Sequence, residues 1–500
     1  MKISFDAKSP KTDVFVAFAV EGGKLLEPGK WADKKTAGAL KRAIAAEKFE
    51  AKKAQTLVLP GPAGMPHSHI VIVGLGKPEE LKEQDFEKLG GTVVSVLNNR
   101  KASSAELAFQ TEGMKLKGFD PRQAAARMAT GALLSSYRFD KYLTKEPKDK
   151  KPTLKSLSFT VADPAKVKKL FSDTKIVAES VYLVRDLVSE APNILYPESF
   201  ATIIKKELSP LGIDVRVMGA REIEKRGMGA LMAVGQGSAR EPKLVSMEYN
   251  GAGKKDPVVC FVGKGVTFDT GGISIKPGPG MEDMKWDMAG AAVVTGLMRA
   301  LAAREAKVNA VGIVALAENM PSGTACRPGD IVSTMSGQTV EILNTDAEGR
   351  LILCDALWYA QEEFKPTHIV DLATLTGAVI IALGHEYAGI FSNDSAFVKD
   401  LVAAGKDVGE ELWRMPLNDA WDKAIDSPAA DMKNISGGRD AGSAIGAHFL
   451  KRFIQDGVKW AHLDIAGVAW SNKDRMSVPK GASAFGLRLL DRYVAENWEK

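Results

Sequence analysis

Residues 344–350 read Asn-Thr-Asp-Ala-Glu-Gly-Arg, with the carboxylates of Asp346 and Glu348 two positions apart. In an extended segment that spacing points both side chains to the same side. Arg350 follows a glycine and opens an apolar run, LILCDALWYA, that reads as a helix. Acidic oxygens converging beside a fixed cation at a helix start suit a divalent-metal site next to an anion-binding spot. A polar turn capping a helix would use the same Asn, Asp and Gly, so the heptad alone leaves both readings open.

The other half of the candidate site lies upstream, where residues 258–287 read VVCFVGKGVTFDTGGISIKPGPGMEDMKWD. The apolar run Val258 to Val262 predicts a buried strand that ends at Gly263-Lys264-Gly265. In open parallel α/β sheets active groups gather beyond the carboxyl ends of strands, and Lys264 and Asp269 fall there. Gly271, Gly272, Gly278 and Gly280, with Pro277 and Pro279, predict a long irregular loop carrying Lys276. Asp287 falls near the start of an apolar segment reaching Ala303, and the spacing of Met284, Asp287 and Ala291 predicts one helix face. A carboxylate on an apolar face is costly to bury unless a cation or donors compensate it. Asp269, Asp287, Asp346 and Glu348 crowded together would repel, and two divalent ions are the natural compensation. Paired metals about 3.5–4 Å apart can generate a hydroxide near neutral pH and clamp a tetrahedral or in-line transition state.

Longer motifs extend the pattern. NTDAEGR and VGKGVTFDTGGISIKPGPGMEDMKWDMAGAA are joined by DLATLTGA at 371–378, HLDIAGVAW at 462–470 and RDLVSEAPNILYPE at 185–198. In these motifs, and over its whole length, the chain resembles the leucine aminopeptidase (cytosol aminopeptidase) family of two-metal exopeptidases. The resemblance implies release of N-terminal residues, preferably Leu and other large apolar ones, by attack of a metal-bridging water or hydroxide. It assigns Asp269 and Glu348 to both metals, Asp346 to the more exchangeable site, and Lys264 and Asp287 to the tighter one. A lysine can serve as a ligand when a metal displaces its proton. Lys276 would polarise the scissile carbonyl, and Arg350 would hold a bicarbonate ion acting as general base. The implied substrate pocket comprises Met284, Asn344, Thr374, Leu375, Gly377, Ala466 and Ala469. Some relatives carry Met where this chain has Ala469, which predicts a roomier pocket and broad acceptance of large apolar residues. The ions would be Mn2+ or Zn2+, with Mg2+ a further option, and the expected assembly is a homohexamer.

Other catalytic templates fit poorly. His385-Glu386 begins like a zinc-protease helix, but Gly389 stands where the second His is needed. Ser274 lies outside any Gly-x-Ser-x-Gly elbow, and Gly263-Lys264-Gly265 lacks the spacing of a phosphate-binding loop. The Gly-Leu-Gly at 74–76 lacks a third glycine and reads as a strand end, and the six histidines are scattered. A two-metal phosphoesterase would want several metal-binding histidines. A nucleic-acid-binding role rests only on the lysine-rich segment 144–155, which reads in the first place as a solvated loop.

The positioning elements follow from pattern. The fold class is α/β: an N-terminal α/β domain, 1–163, a helix, 164–190, and a larger α/β domain, 191–500, with a central mixed sheet; the resemblance implies that the helix links the two and that the larger domain is catalytic. Strands are expected at 14–20, 56–60, 69–74 and 157–162, alternating with helices near 36–49, 83–99 and 121–138. Further strands are expected near 214–218, 243–249, 257–262, 308–317 and 368–373. Three unpatterned cysteines argue against a disulfide framework and predict a reducing compartment. No signal-peptide core and no apolar stretch of about 20 residues is present, which predicts a cytoplasmic protein without a membrane span. A net charge of +5 over 500 residues is mild and does not by itself imply nucleic acid.

Overall fold

A computed structural model describes residues 1–109, 120–253, 256–475 and 477–499. The chain forms two compact units, Met1–Glu179 with Lys473–Pro479, and Ser180–Asn472 with Lys480–Lys500. The division falls inside one long helix, Pro164–Ser189.

The first unit is built on a seven-stranded sheet. Its main path runs Lys2–Asp6, Ser156–Thr160, Ser104–Ala108, Val14–Val20, His69–Gly74 and Thr56–Pro60, parallel except for the last. Phe15, Ala17, Ile70 and Ile72 share one core with Leu40 and Ala32 from the helices Ala39–Ala46 and Glu27–Lys35. The helix expected near 36–49 is Ala39–Ala46, which starts after Gly38, whose positive φ of 79° separates it from the preceding helix Glu27–Lys35. Lys2–Asp6 and Ser104–Ala108 escape an apolar-run reading because every second residue is polar or small. Segment 144–155 is mostly exposed.

The second unit carries an eight-stranded mixed sheet. In order the strands are Leu412–Arg414, Ala388–Ser392, Lys459–Asp464, His368–Ala373, Val258–Asp269, Asn309–Asn319, Lys243–Asn250 and Asp214–Met218. The central four, from Lys459–Asp464 to Asn309–Asn319, are mutually parallel, so their carboxyl ends open at one edge.

Here three expectations need correction. The strand expected to stop at Gly263 continues to Asp269, paired with Asn309–Asn319 along its whole length. Its glycines serve packing, not turning: a Cβ on Gly263 would lie 2.6 Å from the Cα of Ala291 in the helix Ala289–Ala303. Next, Met284, Asp287 and Ala291 do not share a helix. Met281–Trp286 is a separate 3-10 turn, Asp287 caps it, and the α-helix starts at Ala289. Last, Asp346 and Glu348 are not in an extended segment; a turn at Thr345 and Asp346 leads directly into the helix Gly349–Phe364. Among the described residues no helix is long and apolar enough to cross a membrane.

Candidate metal centre and peptide site

Alternation along the Val258–Asp269 strand sets the site's floor. Gly263 faces the helix Ala289–Ala303, so Lys264 points to the opposite face, beneath the helix Gly349–Phe364. Gly349 leaves room for it, since a Cβ there would lie 2.7 Å from Lys264 Nζ. The buried Lys264 ammonium donates to the Thr374 carbonyl at 2.9 Å and pairs with Asp287 at 2.9 Å and Glu348 at 2.8 Å. Thr374 also donates its hydroxyl to Asp287 Oδ1 at 2.6 Å.

At the strand's end, Asp269 Oδ1 accepts from Gly271 N at 2.9 Å and from Asn319 Nδ2 at 2.7 Å. Lys276 comes back over the irregular loop, pairing with Asp269 at 2.9 Å and with Asp346. Thr345 fastens that loop, donating to Gly271 O at 2.6 Å and accepting from Ser274 N at 2.8 Å. Asp269, Asp346 and Glu348 each offer an oxygen within 4.8 Å of the others. The two segments read from the sequence thus meet at one place.

Electrostatics mark the cluster as under-compensated. Burial raises the pKa of Asp287 and Asp269, and their carboxylate neighbours, Glu348 above all, push the same way. Burial also opposes ionisation of Glu348, but Lys264 and Lys276 outweigh it and hold its pKa below the usual value. Both lysines are raised: burial works against their charge, and the surrounding carboxylates prevail. Asp287 Oδ2 is buried without a hydrogen-bond partner among the described residues. Four carboxylates facing two ammoniums, with one carboxylate oxygen unmet, suit divalent cations.

Arg350 is buried in the first turn of its helix; Nη1 donates to Asn434 O at 2.6 Å while Nε has no partner among the described residues. Burial pushes its pKa down to about 10, against the pull of Glu348 and Asp464. Asn344 Oδ1 accepts from Asp346 N at 2.9 Å, which shapes the turn. Leu375 N and Ala466 N both donate to Asp464 Oδ1, at 3.2 and 3.3 Å. Gly377 opens the short helix Gly377–Leu383, and a Cβ added to it would meet nothing within 4 Å, so space lies before it. Met284 is half-buried and Ala469 buried.

Four residues of this neighbourhood were not singled out by sequence reasoning: Asn319, Thr345, Asn434 and Asp464. Asn434 is fully buried and gathers the heptad, accepting from Leu343 N at 2.9 Å and donating to Asn344 O at 2.6 Å. Only Thr345 and Asp464 lie inside quoted motifs; Asn319 and Asn434 carry no local signal.

Comparison with known proteins places the chain in a family. Residues 182–491 match the catalytic domain of the cytosol aminopeptidase family, and residues 14–146 match its N-terminal domain. A probable cytosol aminopeptidase of Caulobacter vibrioides is 49% identical, with 100% of both chains covered. One from Rhizobium johnstonii is 52% identical over 93% of this chain and 92% of its own. Among solved structures, a tomato leucine aminopeptidase mutant superposes with a TM-score of 0.87 at 31% identity, covering 99% of this chain and 97% of its own. The bottromycin maturation enzyme BotP in complex with Mn gives 0.84 at 31% identity, covering 97% and 99%. Fold and family define a peptidase of the α/β class. The chain belongs to the cytosol aminopeptidase family, and its activity is that of an aminopeptidase.

Proposed function

We propose that the protein releases N-terminal residues from peptides, with leucine and other large apolar residues preferred, using two divalent ions. The observation that carries this reading is the excess of buried carboxylate over ammonium at the strand ends, with Asp287 Oδ2 unmet. Asp269 and Glu348 would reach both ions. Asp346 would complete one position through carboxylate and main-chain oxygen, Lys264 and Asp287 the other, with Lys264 as the neutral amine. When bound, the ions would supply Lewis acidity towards a peptide carbonyl and acidify water. Mn2+ or Zn2+ suits a set with one nitrogen donor better than Mg2+ does, and the Mn complex of the maturation enzyme supports manganese.

The chain's own groups do the rest. Lys276, placed between Asp269 and Asp346, would donate from Nζ to the carbonyl oxygen as charge builds on it. Arg350, with its unmet Nε, would hold a bicarbonate ion as the base for the attacking water. Met284, Asn344, Thr374, Leu375, Gly377, Ala466 and Ala469 would receive the substrate's first residue. Full-length similarity to probable cytosol aminopeptidases supports residence in the cytoplasm, and family resemblance supports a homohexamer. The test compares leucyl amide with N-acetyl-leucyl amide. Cleavage of the first and refusal of the second is expected; equal cleavage of both would contradict an exopeptidase that reads a free amino terminus.

A further inference from the structure

We propose that Asp464 is a positioning residue that ties together the two loops carrying the pocket for the substrate's first side chain, and so sets the width of that pocket. The inference rests on the pocket assignment made above.

Asp464 ends the strand Lys459–Asp464 and is fully buried. Its Oδ1 accepts from Leu375 N at 3.2 Å and from Ala466 N at 3.3 Å, and its Oδ2 accepts from the Thr376 hydroxyl at 2.6 Å. Leu375 and Thr376 belong to the loop leaving the neighbouring strand His368–Ala373; Ala466 belongs to the turn leaving Asp464's own strand. One carboxylate therefore fixes both walls. Each wall passes the constraint on. Thr376 Oγ1 accepts from Val379 N at 3.2 Å and starts the helix at Gly377, while Ala469 N donates to Ile465 O at 2.9 Å. Thr374, at the head of the first loop, bonds both Lys264 and Asp287, so the tie also connects the pocket to the carboxylate cluster.

Hydrocarbon could fill the volume of Asp464 but could not meet three converging donors, and burying a carboxylate is costly. The strand end that carries Asp464 is held from behind. His462, two residues earlier on the same face of the strand, holds its Nδ1 2.5 Å from Asp371 Oδ1, and Trp460 Nε1 donates to Asp371 Oδ2 at 2.7 Å. The imidazole stacks on Phe391 at 27° and near-parallel to Trp460 at 12°. A row of indole, carboxylate and imidazole thus fixes the strand end from which Asp464 projects.

The test uses the metal-loaded full chain with leucyl and phenylalanyl amides. Asp464→Ala removes every acceptor, whereas Asp464→Asn keeps an oxygen for the two N–H groups and an amide towards Thr376. Asp464→Ala should raise KM for the leucyl amide about tenfold and shift the Leu-to-Phe ratio of kcat/KM about fivefold, with kcat changed less than about threefold. Asp464→Asn should recover most of both shifts, and metal content should stay constant throughout. If Asp464→Ala does not fold, Thr376→Val decides: a shift in the same direction, reversed in Thr376→Ser, is expected. A folded Asp464→Ala or Thr376→Val variant with KM and ratio within about twofold of wild type would overturn the tie while leaving the proposed function standing. A metal-loaded wild type inert towards leucyl amide would overturn the proposed function, and the inference with it.

Discussion

In the N-terminal unit the buried Glu106 has both carboxylate oxygens met by hydroxyls, Ser9 on one and Thr160 at 2.6 Å on the other. In the larger unit Asp269, Asp287, Asp346 and Glu348 share two lysines and leave one buried oxygen without a donor. Both are acids set on α/β sheets. The first is satisfied by the protein itself and belongs to the fold; the second is satisfied only in part, which is how a site waits for cations. The same contrast recurs inside the larger unit, where Asp371 pairs one oxygen with His462 and the other with Trp460.

The strongest way to break this comparison is to remove an acid from the under-satisfied set. Asp269→Ala or Glu348→Ala should reduce leucyl-amide hydrolysis to background and lower metal content measured by elemental analysis. Retained activity in either would place the chemistry elsewhere. Lys276→Ala should lower kcat by roughly 10²–10³ with metal content nearly unchanged, the scale for losing one oxyanion donor. Loss of metal with turnover per bound ion intact would instead make Lys276 a ligand-positioning group. A pocket change should matter less: Ala469→Met should favour Leu over Phe by about tenfold in kcat/KM, since apolar filling is worth about 1–3 kcal/mol. An unchanged ratio removes Ala469 from the pocket.

The self-satisfied acid should respond through stability alone. Glu106→Ala leaves two hydroxyls without their acceptor and should cost about 1–3 kcal/mol in urea unfolding, with kcat unaltered. A pH-dependent effect concerns Asp355, which accepts from Leu231 N at 2.9 Å and Met335 N at 2.8 Å. Burial pushes its pKa from 3.8 to about 7. Because the folded value lies above the unfolded one, its contribution to stability is complete below about pH 4 and is lost as pH rises through about 7. Asp355→Asn should flatten that part of the Tm-against-pH curve; an unchanged slope would assign it to other groups.

Much of this was legible in the sequence. The strands at 14–20, 56–60, 69–74 and 368–373 and the helix 83–99 stand where apolar periodicity puts them. The two acidic segments meet because the helix Gly349–Phe364, which the heptad opens, packs with Gly349 against Lys264 on the strand Val258–Asp269. What misled were glycines with two possible uses. Gly263 and Gly265 look like a strand end but allow a helix to approach, a distinction made by Ala291 and Leu316, which are distant in sequence. Period counting across Met284, Asp287 and Ala291 failed because a 3-10 turn precedes the helix. Asn319 and Asn434 were invisible because their partners, Asp269 and the heptad, are brought to them only by folding.

The most direct test of the central claim is divalent-metal content measured alongside leucyl-amide hydrolysis, before chelation, after it, and after adding back Mn2+ or Zn2+. The account predicts two ions per chain, loss of activity as they leave and recovery as they return. Full activity in a thoroughly metal-free preparation would contradict it.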